Sequence, residues 1–570
     1  MRGRKPLWIA IITVVAWLGI SGAAGPMFGN LSSVQKNDNS DFLPKSAESY
    51  KFTQEYKPFS ANSDRSIPAL VLFTGKIDQN AIASANGFLQ TIPGKSLDGY
   101  PNSKISEYLV PGAPIFAFPS QDGQALLGSL SFDAKKIANQ IDKKPALPIV
   151  IESIRNYADE FAKSGGYEAH VTGFAAIFAD LFKAFGGIDS TLLLWTLGIV
   201  ALILIVVYRS PVLWIFPLMS ALIAESVAGA VIYVLAKNDI LTLDGQSQGI
   251  LSVLVIGAAT DYAMLLIARY REELHQFDSK YDAMRKTLKG VIEPIVASGS
   301  TVTIGLLILL FTELSNTRSL GPVGAIGIVS SMITILTLLP ALLVLFGRWI
   351  FWPRIPRHDD HDEKLTGIWS KIASSTASHP KRYAVVTSAI LLVLVGLIGT
   401  LKATGISTLE GFTKKPKSLV GQELLLEHFP GGQNQPTSII VSKAKSEAMI
   451  AAVSKVEGVA SVAPEILDPK NPVVKEVGGK VVVNATLAVP ADSSAARELI
   501  PAIRDAAHAV DSESLVGGIS ATFHDVDVAS KHDRNLVIPI VLVVIALILA
   551  LLLRSIMAAG VLLATVILSF

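Results

Sequence analysis

The 570-residue sequence contains no cysteine. Disulfide bonds and thiolate chemistry are therefore excluded, and any domain outside a membrane must be held by an ordinary apolar core. Charged residues are scarce, at 17% against 50% hydrophobic residues. A soluble protein of this length rarely averages so apolar, and repeated membrane spans explain the composition. The formal net charge of +2 neither favours nor excludes nucleic acid, and we expect no nucleic-acid partner.

A phosphate-binding P-loop is also missing, which argues against an ATP-driven pump within this chain. We expect no enzyme activity, no cofactor and no metal. Two clusters carry residue types that bind metals. The run 358–363 is charged and lies in a segment typical of a solvated linker, and His524-Asp525-Val-Asp527 is better interpreted as one face of a helix.

Nine apolar runs predict membrane-crossing helices, which need about 20 residues each. The first, 7–20, follows a basic start and could also be a cleaved signal peptide, but the repeat described below favours an uncleaved helix. The other runs lie at about 190–208, 211–236, 249–270, 291–312, 320–347, 383–401 and 536–553, and a ninth begins after Arg554.

Lysine and arginine fall mainly on one side of these spans. They follow the second, fourth and sixth spans and crowd the segment 348–382, whereas the opposite side has little beyond Lys237 and Arg318. The positive-inside rule then predicts a cytoplasmic N-terminus and two extracytoplasmic polar segments. The stretch 273–290 predicts a short amphipathic helix lying at the inner membrane interface.

The two long polar segments predict folded α+β domains. In the second, strands at 436–442, 458–462, 481–489 and 515–519 alternate with helices at 446–456 and 493–510. This βαββαβ order is that of the ferredoxin-like split unit, and we expect the same class for the first. The predicted order is a first span (1–25), the first extracytoplasmic domain (26–187), spans two to six (188–348), a cytoplasmic linker (349–382), span seven (383–403), the second extracytoplasmic domain (404–534), and span eight with the start of span nine (535–570).

The chain carries an internal repeat. The string Ala-Leu-Ile-Leu at 201–204 recurs at 546–549, and the Arg-Ser pair at 209–210 recurs at 554–555, an offset of 345 residues. The same offset relates Gly173 to Gly518 and Asp180 to Asp525. Such repeats are typical of transporters, with sites near the membrane midplane. Three further spans follow in the first unit, so we expect the second pseudo-repeat to be incomplete here.

Asp261 lies near the middle of the run 249–270. A carboxylate at that depth is costly, faces protein or water, and is by default a functional candidate. With the neighbouring Tyr262 it is interpreted as a proton relay, although adjacent helix residues point about 100° apart and so contact different neighbours. The alternative is a neutral aspartic acid that only hydrogen-bonds to a neighbouring helix.

Other polar or small residues in the spans are secondary candidates. Glu225 lies at a depth similar to that of Asp261 and is a second relay candidate, either facing Asp261 or hydrogen-bonding locally to serine or threonine. For Ser298, Ser300 and Thr301 in the fifth span, helix packing is favoured over proton conduction. Gly257 is expected to allow close helix packing.

The pattern Gly257-x-x-x-Asp261-Tyr262, then Arg269-x-Arg-Glu-Glu273, resembles the signature of the MmpL branch of the resistance–nodulation–division (RND) superfamily. Further matches are Phe42-Leu-Pro44, Ser298-Gly-Ser-Thr-Val302 and Phe429-Pro-Gly-Gly432. The resemblance covers essentially the whole chain. It implies twelve helices in two pseudo-repeats, two porter domains and proton-motive export. It also implies that the Asp261-Tyr262 pair on the fourth helix meets a second such pair on a tenth helix, which this sequence does not contain.

We therefore expect a multi-pass protein of the cell membrane that uses protons to export lipids or other hydrophobic or amphipathic compounds. A non-transporting receptor or envelope-assembly scaffold with the same architecture is the alternative. An auxiliary of protein translocation is a closer rival, but the Arg-Glu-Glu signature fits it less well. The sequence does not select a substrate, and homo-oligomerisation stays open.

Overall fold

The computed structural model describes residues 4–35, 43–59, 66–137, 139–142, 144–185, 188–357, 368–397, 415–429, 435–468 and 471–569. The charged run 358–363, which was interpreted as part of a solvated linker, lies outside these residues. The chain divides into two compact units. The helical unit comprises Met1–Phe42, Ser190–Ala403 and Ala529–Phe570, and the sheet unit comprises Leu43–Asp189 and Thr404–Val528.

The α-helices of the described residues account for most of the chain. In order they are α1 (Arg4–Gly29), α2 (Glu48–Tyr56), α3 (Gln79–Thr91), α4 (Ala134–Ile137), α5 (Ala146–Gly165), α6 (Gly173–Phe185), α7 (Ile188–Tyr208), α8 (Ile215–Lys237), α9 (Gly245–Gln276), α10 (Lys280–Leu307), α11 (Ser315–Phe346), α12 (Ile368–Ser378), α13 (Pro380–Leu397), α14 (Lys417–His428), α15 (Ser446–Val453), α16 (Ser494–Val510), α17 (Ile519–Leu553) and α18 (Ile556–Ser569).

The strands fall in the two polar segments. They are β1 (Ser66–Thr74), β2 (Ser96–Leu97), β3 (Tyr100–Lys104), β4 (Ala117–Pro119), β5 (Ala125–Asp133), β6 (Gln140–Ile141), β7 (Lys144–Pro145), β8 (Glu168–Thr172), β9 (Thr437–Ser442), β10 (Val459–Pro464), β11 (Ile466–Asp468), β12 (Asn471–Val474), β13 (Glu476–Val477), β14 (Lys480–Leu487) and β15 (Leu515–Gly517).

Within the described residues, seven helices are long and apolar enough to cross a membrane. They are α1, α8, α9, α10 with its 3₁₀ extension to Phe311, α11 with its extension to Phe351, α13 and α17. Two shorter apolar stretches, Trp195–Tyr208 and Ile556–Ser569, coincide with the predicted second and ninth spans. In the helical unit α11 is central, since it contacts α1, α8, α9 and α10.

The predicted amphipathic helix at 273–290 is wrong as a separate element. Helix α9 continues to Gln276, and α10 begins at Lys280 and runs without interruption into the fifth apolar run. Ala283, Met284 and Thr287 are buried on one face of this start, while the basic residues of the other face are exposed. The amphipathic pattern therefore records packing against the bundle, and the span simply begins earlier than its apolar run.

The two polar segments form sheets with the same topology. The first sheet has the strand order β4-β5-β1-β8 and the second the order β10-β14-β9-β15, with antiparallel neighbours throughout. The second sheet has a fifth, two-residue strand, β13, which pairs with β14. If the other four strands of each sheet are numbered along the chain, both sheets read 2-3-1-4, the arrangement of a split βαβ unit. Helices α3 and α5 cover one face of the first sheet, and α15 and α16 cover one face of the second.

Each sheet is completed by a helix from the other half of the chain. Helix α14, which precedes the second sheet in sequence, packs its Leu425 and the adjoining Phe429 on Leu70 and Leu72 of the first. Helix α2, which precedes the first sheet, packs Phe52 against Ile440 and Val482 of the second. These two exchanged helices cover the faces that the local helices leave open. Neither helix was predicted, because each is short and lies within a long, mostly polar segment.

Two buried ion pairs hold the exchanged helices, and we call each an anchor. In the first anchor, Arg155 of α5 makes a bidentate contact with Asp180 of α6 at 2.8 and 2.7 Å. The same carboxylate accepts the backbone N–H of Ser418 in α14 at 3.1 Å. Because the side chains of Arg155 and Asp180 are only 4% and 7% exposed, this contact is largely shielded from solvent.

The second anchor repeats this design. Arg504 of α16 contacts Asp525 of α17 at 2.7 and 2.9 Å, and Asp525 accepts the backbone N–H of Ser49 in α2 at 3.0 Å. The Ser49 hydroxyl donates to the same oxygen, and Glu48 adds a 2.9 Å contact to Arg504. Asp180 and Asp525 are the pair related by the 345-residue repeat. The repeat therefore extends from the sequence to the chemistry of the sheet unit.

The first anchor has a defined pH dependence. Burial raises the pKa of Asp180, but hydrogen bonds from Arg155 and Ser418 outweigh it and hold the pKa below its usual range. Such a carboxylate stabilises the fold above its unfolded pKa of about 3.9, and this contribution is lost as the pH falls through the folded value. We expect the difference in α14 docking between wild type and Asp180→Asn to be constant from about pH 7 to 5 and to shrink below about pH 4.

Hydrogen exchange of the α14 amides in both proteins measures this difference. Comparing the two proteins at each pH cancels the contribution of the nearby pair His428 and Asp122, which is present in both. A difference that disappears between about pH 7 and 5 would contradict the prediction.

Candidate functional site

Helix α9, which carries Asp261, is fixed at its first turn. Asp244 caps it by accepting the N–H of Ser247 at 2.8 Å, and its other oxygen accepts the hydroxyls of Ser247 and of Ser319 in α11 at 2.7 and 2.8 Å. Ser247 sits in a Gly-x-Ser-x-Gly string (245–249) that sequence analysis overlooked. Because its hydroxyl donates within this cap at the start of a helix, we assign Ser247 a structural role rather than that of a nucleophile.

The other end of α9 is capped in a different way. The Nη2 group of Arg348 donates to the carbonyl oxygens of Leu274, Phe277 and Asp278 at 3.1, 2.6 and 3.2 Å. These carbonyls lie in the last turn of α9 or directly after it, where a helix leaves its carbonyl oxygens without partners. A cation at this end also matches the helix dipole. Helix α9 is therefore held at both ends by side chains from outside the candidate site.

Asp261 lies at the centre of this helix and on its open face. The helix has 32 residues, so Asp261 is about 24 Å from its first residue at 1.5 Å per residue. Asp261 is exposed, and so are Gly249, Val253, Gly257 and Leu265, which share its face at four-residue spacing. The described helices pack against the other faces of α9. The carboxylate is therefore accessible from one side of the helical unit.

Tyr262 points the other way, into the core of the helical unit. It is only 4% exposed, and its hydroxyl lies beside the side chain of Ser298 in α10. A Cβ on Gly299 would lie 3.2 Å from this hydroxyl and 3.0 Å from Met332 Sδ. The missing side chain of Gly299 thus provides the slot for the tyrosine. The structure brings Tyr262 and Ser298 together and separates the environments of Tyr262 and Asp261.

Glu225 does not face Asp261. Its side chain is 4% exposed and lies beside Ser252 of α9. Ser252 and Asp261 are nine residues apart on one helix, which at 100° and 1.5 Å per residue places them about 180° apart around its axis and about 13.5 Å apart along it. Of the two arrangements expected from sequence, the structure therefore excludes the pair with Asp261 and places a serine beside Glu225. The similar depth expected for the two carboxylates is wrong, because the neighbouring helices are shifted as well as rotated relative to each other.

Of the remaining candidates, Ser300 and Thr301 are partly buried in α10, whereas Gly257 lies on the open face of α9. Thr301 donates to the carbonyl of Ala297 at 2.7 Å within its own helix, and Ser300 is half-buried. The expectation that Gly257 allows close packing is wrong for the described helices, because a Cβ there would meet no atom within 4 Å. Gly257 lies one turn before Asp261 on the open face, so it leaves the space beside the carboxylate empty.

Three glycines on α11 do permit close packing and were missed. A Cβ on Gly321 would lie 2.7 Å from the carbonyl oxygen of Leu306, and one on Gly327 would lie 2.7 Å from Leu251 Cδ1. Gly324, between them, is nearly as tight, at 3.0 Å from Leu306 Cδ1. The three-residue spacing of these glycines was a readable signal, since small residues repeated on one helix face permit close helix approach. They set α11 directly against α9 and α10.

The Arg-x-Arg-Glu-Glu stretch joins α9 to α10. Arg269 lies 2.7 Å from Glu273, which is fully buried, and it also contacts the exposed Glu272. Neither Glu273 oxygen has a hydrogen bond of acceptable geometry, so the contact with Arg269 is mainly coulombic. Arg269 also lies beside Gly290 of α10, with Nε 3.7 Å from where a Cβ of that residue would stand. These residues hold the end of α9 in place rather than contacting Asp261.

We expect Arg269→Ala to destabilise the helical unit by about 2–3 kcal/mol, because it leaves the Glu273 carboxylate buried without its partner. The double variant Arg269→Ala with Glu273→Gln should recover most of this loss, since no buried charge then remains. All seven tryptophans lie in the ranges of the helical unit, so tryptophan fluorescence during denaturant unfolding reports on that unit. A double variant less stable than Arg269→Ala alone would contradict this account.

Comparison with known proteins decides the family. The MMPL family model matches residues 42–383 and 411–570. The chain belongs to the MMPL family. Both halves of the MMPL chain fall within the match, including α9 with Asp261 and Tyr262. The predictions of MmpL-type membership and of a multi-pass helical membrane protein are thus confirmed.

Individual MMPL relatives differ in how much of their length this chain covers. The Streptomyces coelicolor membrane protein SCO0839 is 38% identical over 572 residues, covering 100% of this chain and 78% of that protein. The apo-petrobactin exporter of Bacillus anthracis is 30% identical over 429 residues, covering 71% of this chain and 57% of the exporter. The sulfolipid-1 exporter MmpL8 of Mycobacterium tuberculosis is 26% identical, covering 80% and 41%.

Proposed function

We propose that this chain exports a lipid or another hydrophobic or amphipathic small molecule across the cell membrane, driven by protons, with Asp261 as the relay acid. The observation that carries the proposal is the position of Asp261 at the centre of α9 on its open face. A carboxylate that takes up and releases protons needs access to water or to a moving partner, and the open face leaves room for either.

Tyr262 and Ser298 support the relay from the protein side. The hydroxyl of Tyr262 lies in the Gly299 slot beside Ser298, so the helix turn that carries Asp261 packs against α10. Since Asp261 itself lies outside this contact, its side chain can change partners without disturbing the packing. Glu225, buried with Ser252, is proposed as a second and separate proton-binding group on the α8 side of α9.

The names of two relatives support the substrate class. One is named as an exporter of apo-petrobactin and the other as an exporter of sulfolipid-1. The second name is that of a lipid, which supports a hydrophobic or amphipathic substrate. We propose that the sheet unit lies outside the cytoplasm and acts as a pair of porter domains, as the distribution of lysine and arginine in the sequence predicts.

The test uses the full chain in sealed vesicles with an imposed pH gradient. A fluorescent long-chain lipid and a catecholate siderophore serve as probes, and a pH-sensitive dye reports proton movement. We expect one probe to move with the gradient, protons to move in the opposite direction, and both movements to stop when a protonophore is added. Probe movement that ignores the gradient would contradict proton coupling. A correctly inserted chain that moves neither probe would favour the receptor or scaffold alternative.

A further inference from the structure

The two anchors join parts of the chain that adjoin different spans. Asp180 lies on α6, which leads directly towards α7, and it holds α14, which follows α13 in sequence. Asp525 lies on α17, itself an apolar span, and it holds α2, which follows α1. By chain connectivity alone, the first anchor ties the continuations of spans two and seven. The second anchor ties the continuations of spans one and eight.

The anchors are polar contacts that depend on charge. In each, one carboxylate satisfies both an arginine fork and the backbone N–H of the second residue of the exchanged helix. Hydrogen bonds to a charged group are roughly twice as strong as neutral ones, and a buried arginine left without its partner is costly. Loss of the carboxylate charge therefore acts on the exchanged helix and on the arginine together.

Each exchanged helix also fits only its own sheet. In the second domain, Phe52 of α2 lies directly over Gly517 of β15, where a Cβ would be 2.0 Å from its ring. In the first domain the sizes are reversed, since Gly421 of α14 lies over Thr172 of β8, and a Cβ built on Gly421 would lie 3.1 Å from the Cβ of Thr172. Phe52 and Gly421 occupy the same place in their helices, three residues after the anchored Ser49 and Ser418. The two helices are therefore not interchangeable.

We propose that Asp180 and Asp525 are positioning residues that couple the two sheet domains, so that neither domain can move with its own spans without moving a span of the other half. Both anchors stay closed while the transporter works, and each exchanged helix opens only when its own anchor is broken. The transport consequence rests on the proposed function, whereas the selective opening of α2 and α14 does not.

The first experiment is hydrogen exchange of the full chain in lipid nanodiscs. We expect Asp525→Asn to speed exchange of the α2 amides by about tenfold or more and to leave α14 unchanged, with the converse for Asp180→Asn. Asparagine has nearly the same shape as aspartate, but its NH2 group is a hydrogen-bond donor and cannot accept from the arginine. Matched controls are Asp527→Asn on α17, which breaks a half-exposed ion pair with Arg497, and Glu423→Gln on α14, which breaks an exposed one with Lys415. Neither control should change either helix.

A variant that unfolds the domain would show faster exchange in the central strands β9 and β14 as well. In that case Ser49→Ala replaces Asp525→Asn, because it removes one hydroxyl donor and leaves the Asp525–Arg504 pair intact. We expect α2 exchange to rise severalfold with the central strands unchanged. The proposal is overturned if α2 and α14 respond equally to either anchor variant, or if the controls have the same effect.

The transport arm uses the same variants in the gradient-driven vesicle assay. We expect each anchor variant to lower probe export by about tenfold while the amount of inserted protein stays at the wild-type level. Wild-type export with a demonstrably opened helix would overturn the coupling role. If the wild-type chain itself moves no probe, the proposed function fails, and the exchange measurements still decide whether each anchor holds its helix independently.

Discussion

Asparagine at position 261 is expected to reduce gradient-driven export below detection while leaving the amount of membrane-inserted protein unchanged. Asparagine has nearly the same shape as aspartate but cannot bind or release a proton, so a relay through this position stops. Asp261 is exposed on the open face of α9, and that helix is held by the Asp244 cap and by Arg348. The substitution therefore removes the titrating group without removing a contact that fixes the helix.

The measurement compares probe export and proton movement in vesicles of equal protein content. A matched control is Glu272→Gln, which neutralises another exposed acid on the same helix, paired with Arg269 in an ordinary surface contact. Such pairs contribute about 0–1 kcal/mol, so we expect the control to retain export within a factor of about two. Asp261→Glu keeps a titratable group and should retain partial export. Undiminished proton-coupled export by Asp261→Asn would exclude Asp261 as the relay.

The position of Asp261 could be predicted because it depends only on distance along one helix. An apolar run of known length places its middle residue near the midplane, whatever the neighbouring helices do. The divergence of Asp261 and Tyr262 was equally predictable from the 100° step between helix neighbours. The structure shows both features, with one side chain exposed and the other buried. The chemical roles stay predictions until export is measured.

What could not be predicted is which way a helix turns and what it packs against. Glu225 lies beside Ser252, which is about 13.5 Å from Asp261 along α9 and on the opposite side of that helix. Gly257 looked like a packing residue because it is small and lies in a span, yet its neighbourhood is open. In both cases the missing information is how the neighbouring helices are shifted and rotated, which is set by the partner helices and not by the helix's own sequence.

The exchanged helices could not be predicted for a different reason. Helix α2 has only nine residues and lies in a polar segment, so its apolar side is too short to stand out. Its sheet is formed by residues about 390 to 470 positions further along the chain, as the contacts of Ser49 with Asp525 show. A local pattern carries no information about so distant a partner. The internal repeat did relate Asp180 to Asp525, but it did not say that each would hold a helix from the other half.

Gly517→Ala is expected to destabilise the second domain of the sheet unit by about 2–3 kcal/mol, the usual cost of forcing extra volume into a packed core. A Cβ at this position would stand 2.0 Å from Phe52 Cδ1 and 2.1 Å from its Cγ, so the ring must leave its place on the sheet. Phe52 stacks on Tyr56 within α2, and its displacement therefore affects the whole helix rather than one side chain. Hydrogen exchange of α2 and of β15 measures the loss.

A matched control separates this clash from a general effect of adding a methyl group. Gly87 lies in α3 of the same unit, and a Cβ there would meet no atom within 4 Å. Since alanine favours helices over glycine by roughly 1 kcal/mol, Gly87→Ala should be neutral or stabilising. Equal destabilisation by Gly87→Ala and Gly517→Ala would show that the Phe52 contact has no special cost.

The decisive comparison is the double variant Phe52→Ala with Gly517→Ala. Phe52→Ala alone leaves a cavity beside Ile440 and Val482 and should cost about 3 kcal/mol or more. With the ring gone, the new methyl group at position 517 meets no clash and fills part of that space. The double variant should therefore lose about 2 kcal/mol less stability than the sum of the two single-variant losses. Such a coupling is expected only of residues in direct contact. Additive losses would mean that Phe52 does not sit on Gly517, and the exchange of α2 between the two halves of the chain would lose its main steric support.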